Sequence, residues 1–237
     1  MDERTALQQL EALGTAQNRK VYGRHGVTGP AFGVSYANLG KLRKAIGTDQ
    51  RLALELWKSG NHDARVLATM IADPQQLDRK TVEAWSKDLA DYVLTDAFST
   101  AVAQSALAVD CARKWIEAKG EWLSTAGWNL IARGAGDPER YGEDELARCL
   151  ETIERRIHAS PNRTRYSMNG ALIAIGLRSP ALRKRAVAAA RRIGTVAVDH
   201  GETGCKTPDA ESYIEKAAAH RAGRPKPAAK KRPARKA

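Results

Sequence analysis

Three aspartates and a tyrosine fall within the ten residues Lys87 to Asp96, near the middle of a 237-residue chain whose formal net charge is +12. Tyr92 and Asp96 are four positions apart, so a helix places them one turn apart on one face. An aromatic ring beside a carboxylate, on a basic protein, suits a cationic sugar or base within a nucleic acid. The plainer alternative is that Asp88 or Asp91 caps a helix running on from Tyr92, with Asp96 paired to a neighbouring lysine or arginine.

Other residues could meet a polyanion. Asn162, Arg163 and Arg165 open a helical stretch, where backbone N–H groups and guanidinium groups can hold a phosphate. Lys184 and Arg191 are about two turns apart and can share a helix face, as a phosphate-facing stripe or as a solvated surface. Asp63 and Arg65 follow Asn61, which reads as a helix cap with an early-turn acid. Cys205 lies in a glycine-rich loop without a base fixed beside it, so the loop reads as structural. Trp57, Trp85, Trp115, Trp122 and Trp128 recur at helical positions and read as core, with Trp122 the one to check for exposure. Cys111, Cys149 and Cys205 are far apart, and no Cys-x-x-Cys or His-x-x-x-His spacing occurs. That excludes a disulfide framework and a structural zinc site from the expectation, and no cofactor or metal is expected.

The elements that must position these groups are helical. Alanine, leucine and arginine are abundant, phenylalanine and tyrosine few, and no strand pattern stands out. Helices are expected over 2–13, 16–24, 36–46, from Thr48 or Asp49 to Gly60, 62–72, 81–90, 92–104, 110–119, 121–133, 143–158, 163–177, 180–193 and 209–220. Glycine and proline punctuate them, most clearly in Gly26–Ser35, Gly134–Pro138 and 195–208. Counted in pairs, the helices repeat every 35–45 residues, the range of HEAT and armadillo repeats. Five or six such pairs make an all-α solenoid whose concave face is the usual binding surface. The expected organisation is one repeat domain over 1–220 and a basic, disordered tail over 221–237. That tail holds eight basic residues and no acid, so it carries eight of the twelve net charges. No apolar run reaches membrane-spanning length and the N-terminus is polar, so a cytoplasmic protein is expected.

Several motifs together resemble the DNA alkylation repair family, the AlkD-like HEAT-repeat proteins. They are Asn61-His62-Asp63-Ala64-Arg65, Asp91-Tyr92-Val93-Leu94-Thr95-Asp96, Glu121-Trp122-Leu123, Arg165-Tyr166-Ser167-Met168-Asn169-Gly170 and Val198 to Ala210. The resemblance covers roughly residues 20–220. It implies a stack of helical pairs with a basic concave face for double-stranded DNA, and by analogy of fold a monomer. It implies excision of cationic N3- and N7-alkylated purines without base flipping. Positive charge develops on the deoxyribose as the glycosidic bond breaks, and a nearby carboxylate stabilises it and orients water. Carried over, Asp96 matches the catalytic aspartate. Tyr92 matches an aromatic position that is tryptophan in active members. The family's DNA-contacting arginine falls where Trp122-Leu123 is followed by Ser124-Thr125, so Trp122 and Thr125 stand at the DNA-contact position. A second cleft tryptophan falls near Gly170 to Ile173, where the nearest aromatic is Tyr166. The alternative function is a non-catalytic helical-repeat module that binds nucleic acid or a protein.

Overall fold

The computed structural model describes residues 1–222, and within them every regular element is helical. The basic segment from residue 223 onward, with most of the expected tail, lies outside the described residues. The helices are α1 (Glu3–Leu13), α2 (Ala16–Arg24), α3 (Tyr36–Ile46), α4 (Gln50–Lys58), α5 (His62–Ile71), α6 (Arg79–Ser86), α7 (Tyr92–Val102), α8 (Ala108–Trp115), α9 (Glu121–Gly134), α10 (Glu143–Arg156), α11 (Asn162–Gly176), α12 (Pro180–Ile193) and α13 (Ala210–Ala222).

Most starts follow from a single side chain. Asp2, Thr15, Ser35, Asp49, Asn61, Asp78, Asp91 and Ser179 each accept a hydrogen bond from a first-turn backbone N–H. Asp91 is thus the cap of α7, as one reading of the sequence held, and Pro180 follows Ser179 at the first turn of α12. Gly47 and Gly194 stop α3 and α12 with φ of 77° and 68°, a backbone region that disfavours any side chain.

The helices form two layers. α3, α5, α7, α9, α11 and α13 pack side by side as an inner layer, and α4, α8, α10 and α12 back them from outside. One continuous apolar cluster runs from Ala6 to Ile214. Trp57, Trp85, Trp115 and Trp128 are buried in it, as expected, and Trp122 is half-buried against it. Inner helices begin at residues 36, 62, 92, 121, 162 and 210, so the period is 26 to 30 residues at first and lengthens to 41 and then 48. The expected 35–45 holds only for the step of 41. The cause is the outer helices: α4, α6 and α8 have 9, 8 and 8 residues, whereas α10 and α12 have 14 each.

The outer layer neutralises its own charge. Arg79–Asp110 and Glu83–Lys114 join α6 to α8, Arg113–Glu145 joins α8 to α10, and Glu151–Arg185 and Glu154–Arg192 join α10 to α12. Each of these pairs is solvent-exposed and screened, so it adds little to stability.

Candidate nucleic-acid site on the inner layer

Tyr92 and Asp96 stand on the first two turns of α7, and both are half-buried on the inner layer. They line a cleft of about 350 Å³ with Val21, Tyr22, His25 and Tyr36. The wall opposite α7 is therefore α2 and the start of α3, joined by the glycine-rich loop 25–35. That loop is fixed by Asp63. Its carboxylate is fully buried and accepts hydrogen bonds from the backbone N–H groups of Phe32 (2.7 Å), Gly33 (3.0 Å) and Val34 (2.9 Å). The Tyr22 hydroxyl donates to the Val34 carbonyl, and the His62 N–H donates to the Pro30 carbonyl at 2.8 Å. Asn61 caps α5 as expected, but Asp63 does more than answer a helix dipole: it ties down the cleft wall.

Asp96 is held by Asn129 on α9, whose amide Nδ2 donates to its Oδ1 at 2.7 Å. Its other oxygen has no hydrogen-bond partner among the described residues. Arg133, one turn past Asn129, reaches the Asp96 backbone carbonyl at 3.5 Å rather than the carboxylate. The expected alternative of an ion pair with a neighbouring cation is not what the fold contains. Burial raises the Asp96 carboxyl above its ordinary pKa, against the Asn129 hydrogen bond and the Arg163 and Arg133 charges that pull it down. Burial, and then the Asp96 charge, pushes the Tyr36 hydroxyl up to about 12.

The raised carboxyl has a thermodynamic signature. An acid that ionises less readily in the fold than in the unfolded chain costs stability as pH rises from its ordinary value through its folded value, and the cost is complete above that. Asp96→Asn removes the cost. The variant should melt at a higher temperature than the parent at pH 7, with the gap closing below the ordinary carboxylate range. An equal or lower melting temperature at pH 7 would show that ionised Asp96 is well accommodated.

Tyr92 is enclosed on two sides. Its hydroxyl shares a hydrogen bond with His25 Nδ1, and the Arg163 guanidinium lies 3.8 Å from its ring centroid. The same guanidinium lies 4.7 Å from the Tyr166 ring, and His200 meets Tyr166 edge-on at 5.5 Å. The order His25, Tyr92, Arg163, Tyr166, His200 is a continuous stack across the N-terminal ends of α7 and α11. Above it lies the loop 195–209. Asn162 clamps that loop reciprocally, donating to the Asp199 carbonyl and accepting from the Asp199 N–H, both at 2.7 Å. Arg165 donates to the Ala197 carbonyl at 2.9 Å and Asn169 to the Pro208 carbonyl at 3.0 Å. Farther on, the loop meets α2. A cavity of about 400 Å³ between them is lined by Arg24, His25, Glu202, Thr203, Gly204 and Cys205.

These positions correct several expectations. The backbone N–H groups at the start of α11 are not free for a phosphate, because the Arg163 N–H is taken by Glu121 Oε1 at 2.6 Å, and the Asn162 and Arg165 side chains are spent on the loop. Thr125 cannot touch a strand: it is 1% exposed, with its hydroxyl 3.4 Å from that of Thr164 where α9 packs on α11. Arg191 is ion-paired to Glu211 and Glu215, so it ties α12 to α13, while Lys184 remains exposed. Asp88 receives the Trp57 indole N–H at 2.8 Å and pairs with Arg65. His25, Tyr36, Asn129, Arg133 and His200 belong to the site and were not singled out. Asn129 had one usable signal: it follows Asp96 by about one repeat.

Residues 6–214 match the family model described as DNA alkylation repair enzyme. An uncharacterized protein of Listeria innocua is 32% identical over 216 residues, covering 88% of this chain and 94% of that protein; an uncharacterized protein of Listeria monocytogenes matches to the same extent. A solved structure superposes with a TM-score of 0.84 at 31% identity, covering 93% of this chain and 95% of that one. It is described as representing "a new family of proteins related to the HEAT-like repeat DNA glycosylases with affinity for branched DNA structures". With the family model spanning most of its length and a HEAT-like helical stack beneath it, the chain belongs to the DNA alkylation repair enzyme family.

Proposed function

We propose that the chain is a cytoplasmic, monomeric DNA-binding protein that favours branched DNA and does not excise bases. The observation that carries this reading is the covered face of Tyr92. A cationic base or a sugar developing positive charge would need that ring and the carboxylate of Asp96 together. Arg163 already lies 3.8 Å from the ring centroid, so the chain's own cation stands where a substrate cation would gain most. The contact of loop 195–209 with α2 adds to this. A long straight duplex laid along the inner layer meets that bridge, whereas diverging helices at a branch leave a gap for it. The affinity for branched DNA described for the solved relative supports the same reading. Unpaired cations, among them Arg133 and Lys184, supply a salt-dependent, sequence-independent attraction to phosphates.

A second reading, excision of N3- and N7-alkylated purines, is favoured by one observation: Asn129 holds a single oxygen of Asp96 and leaves the other free beside a cleft large enough for a base. Release of N7-methylguanine and N3-methyladenine from methylated duplex DNA separates the two. No release by the parent chain is expected. Release by the parent and none by Asp96→Asn would overturn the binding reading and make Asp96 the catalytic carboxylate.

A further inference from the structure

Arg163 is 8% exposed, yet its side chain makes no hydrogen bond and no ion pair with any described residue, and its Nε is sealed from solvent without an acceptor. A guanidinium taken out of water loses more than stacking on two rings restores, unless an anion and its oxygen atoms replace the lost hydration. The nearby acceptors do not fill that role. The Tyr92 hydroxyl is shared with His25, and Asp96, with one oxygen on Asn129, feels the Arg163 charge without forming an ion pair with it. The guanidinium of Arg163 is flanked by rings, Tyr92 and Tyr166 on its faces, His200 beyond Tyr166 and His25 beyond Tyr92; the Glu121 carboxylate is taken by the Arg163 backbone N–H, and Asp96 acts on the guanidinium only through its charge. Arg163 helps hold the His200 imidazole below its usual pKa, after burial, so its charge reaches that ring. An arginine so placed matches a phosphate, which its planar fork binds through two parallel hydrogen bonds.

The walls indicate how such a phosphate arrives. The cavity of about 400 Å³ between α2 and loop 195–209 shares His25 with the Asp96 cleft, and its one acid, Glu202, is exposed. The loop is fastened to α11 at Asp199 and Pro208. At Gly201 it comes so close to α2 that an added Cβ would stand 3.2 Å from the Arg24 carbonyl oxygen. Arg163 lines neither space itself but covers the Tyr92 ring, which with His25 lines the Asp96 cleft, so a loop fastened at both ends and close to α2 favours entry by a strand end over a strand interior.

We propose that Arg163 is the seat for a terminal phosphate of a DNA strand, received through the cavity between α2 and the loop. This rests on the DNA-binding reading and adds to it a preference for phosphorylated ends. The test uses the full chain and a forked DNA whose single-stranded arms end in 5′-phosphate, 3′-phosphate or hydroxyl, with binding read by fluorescence anisotropy. One phosphorylated end should bind roughly tenfold more tightly than the hydroxyl end. Arg163→Gln should erase that difference between ends, and Arg163→Lys should recover part of it. In parallel, inorganic phosphate should raise the melting temperature of the parent chain above chloride at matched ionic strength, and not that of Arg163→Gln. Should the glutamine variant fail to fold, the parent's discrimination between ends and its response to phosphate still decide. Equal binding of all three forks, or discrimination that survives in Arg163→Gln, overturns the seat alone. Loss of all DNA binding with the phosphate response intact overturns the DNA reading and keeps an anion seat.

Discussion

Asp63→Ala should lower the unfolding free energy by about 4 kcal/mol, read by urea or thermal denaturation, because it leaves three backbone N–H groups without an acceptor. Those of Gly33 and Val34 are buried, so water does not replace the carboxylate. The effect spreads beyond stability. The loop from residue 25 to 35 carries the wall formed by Tyr22, His25 and Tyr36, so its release opens the cleft beside Asp96 from the far side. Asp63→Asn keeps one acceptor oxygen and should cost about half as much. A loss under about 1 kcal/mol in the alanine variant would mean that the tie does not hold the loop.

Gly127→Ala should cost about 3 kcal/mol, through overpacking rather than a lost contact. Gly127 lies where α9 crosses α8 most closely. An added Cβ would stand 2.6 Å from the Ile116 nitrogen and 2.7 Å from the Trp115 carbonyl carbon, both backbone atoms that cannot rotate aside. The helix must shift instead, and α9 is the helix that presents Asn129 and Arg133 to α7. Gly170→Ala is the control. It also lies inside a helix, but nothing is within 4 Å of its would-be Cβ, so the same substitution should stabilise by about 0.5–1 kcal/mol. A destabilised Gly170→Ala beside an unaffected Gly127→Ala would reverse the packing account.

The two substitutions mark the line between what sequence expresses and what it does not. Local rules placed the helices, because each boundary is set within a few residues: Ser35, Asn61 and Ser179 as caps, Gly47 and Gly194 as stops. The pairing of Tyr92 with Asp96 was equally local, a matter of helical spacing. Asp63 looked like an ordinary first-turn acid because its partners lie about thirty positions earlier, in a loop with no pattern that names an acceptor. Arg163 reads from sequence as a phosphate-holding or surface cation at a helix start. Only the packing of α11 beside α9, with Glu121 on its backbone N–H, turns its side chain over Tyr92. The surroundings of Thr125 and Arg191 are likewise set by distant helices. The interface with α11 buries the first, and α13 supplies the acids for the second. The family match carried over Asp96 by position, but whether a carboxylate works depends on what its neighbours leave uncovered.

The measurement that bears most directly on the account is competition between an immobile four-way junction and a linear duplex of the same arm sequence, for the full chain at one fixed salt concentration. The account predicts that the junction displaces the duplex at roughly tenfold lower concentration. Equal competition, or a duplex that wins, would contradict it, because the bridge between α2 and loop 195–209 would then place no constraint on the DNA that the inner layer accepts.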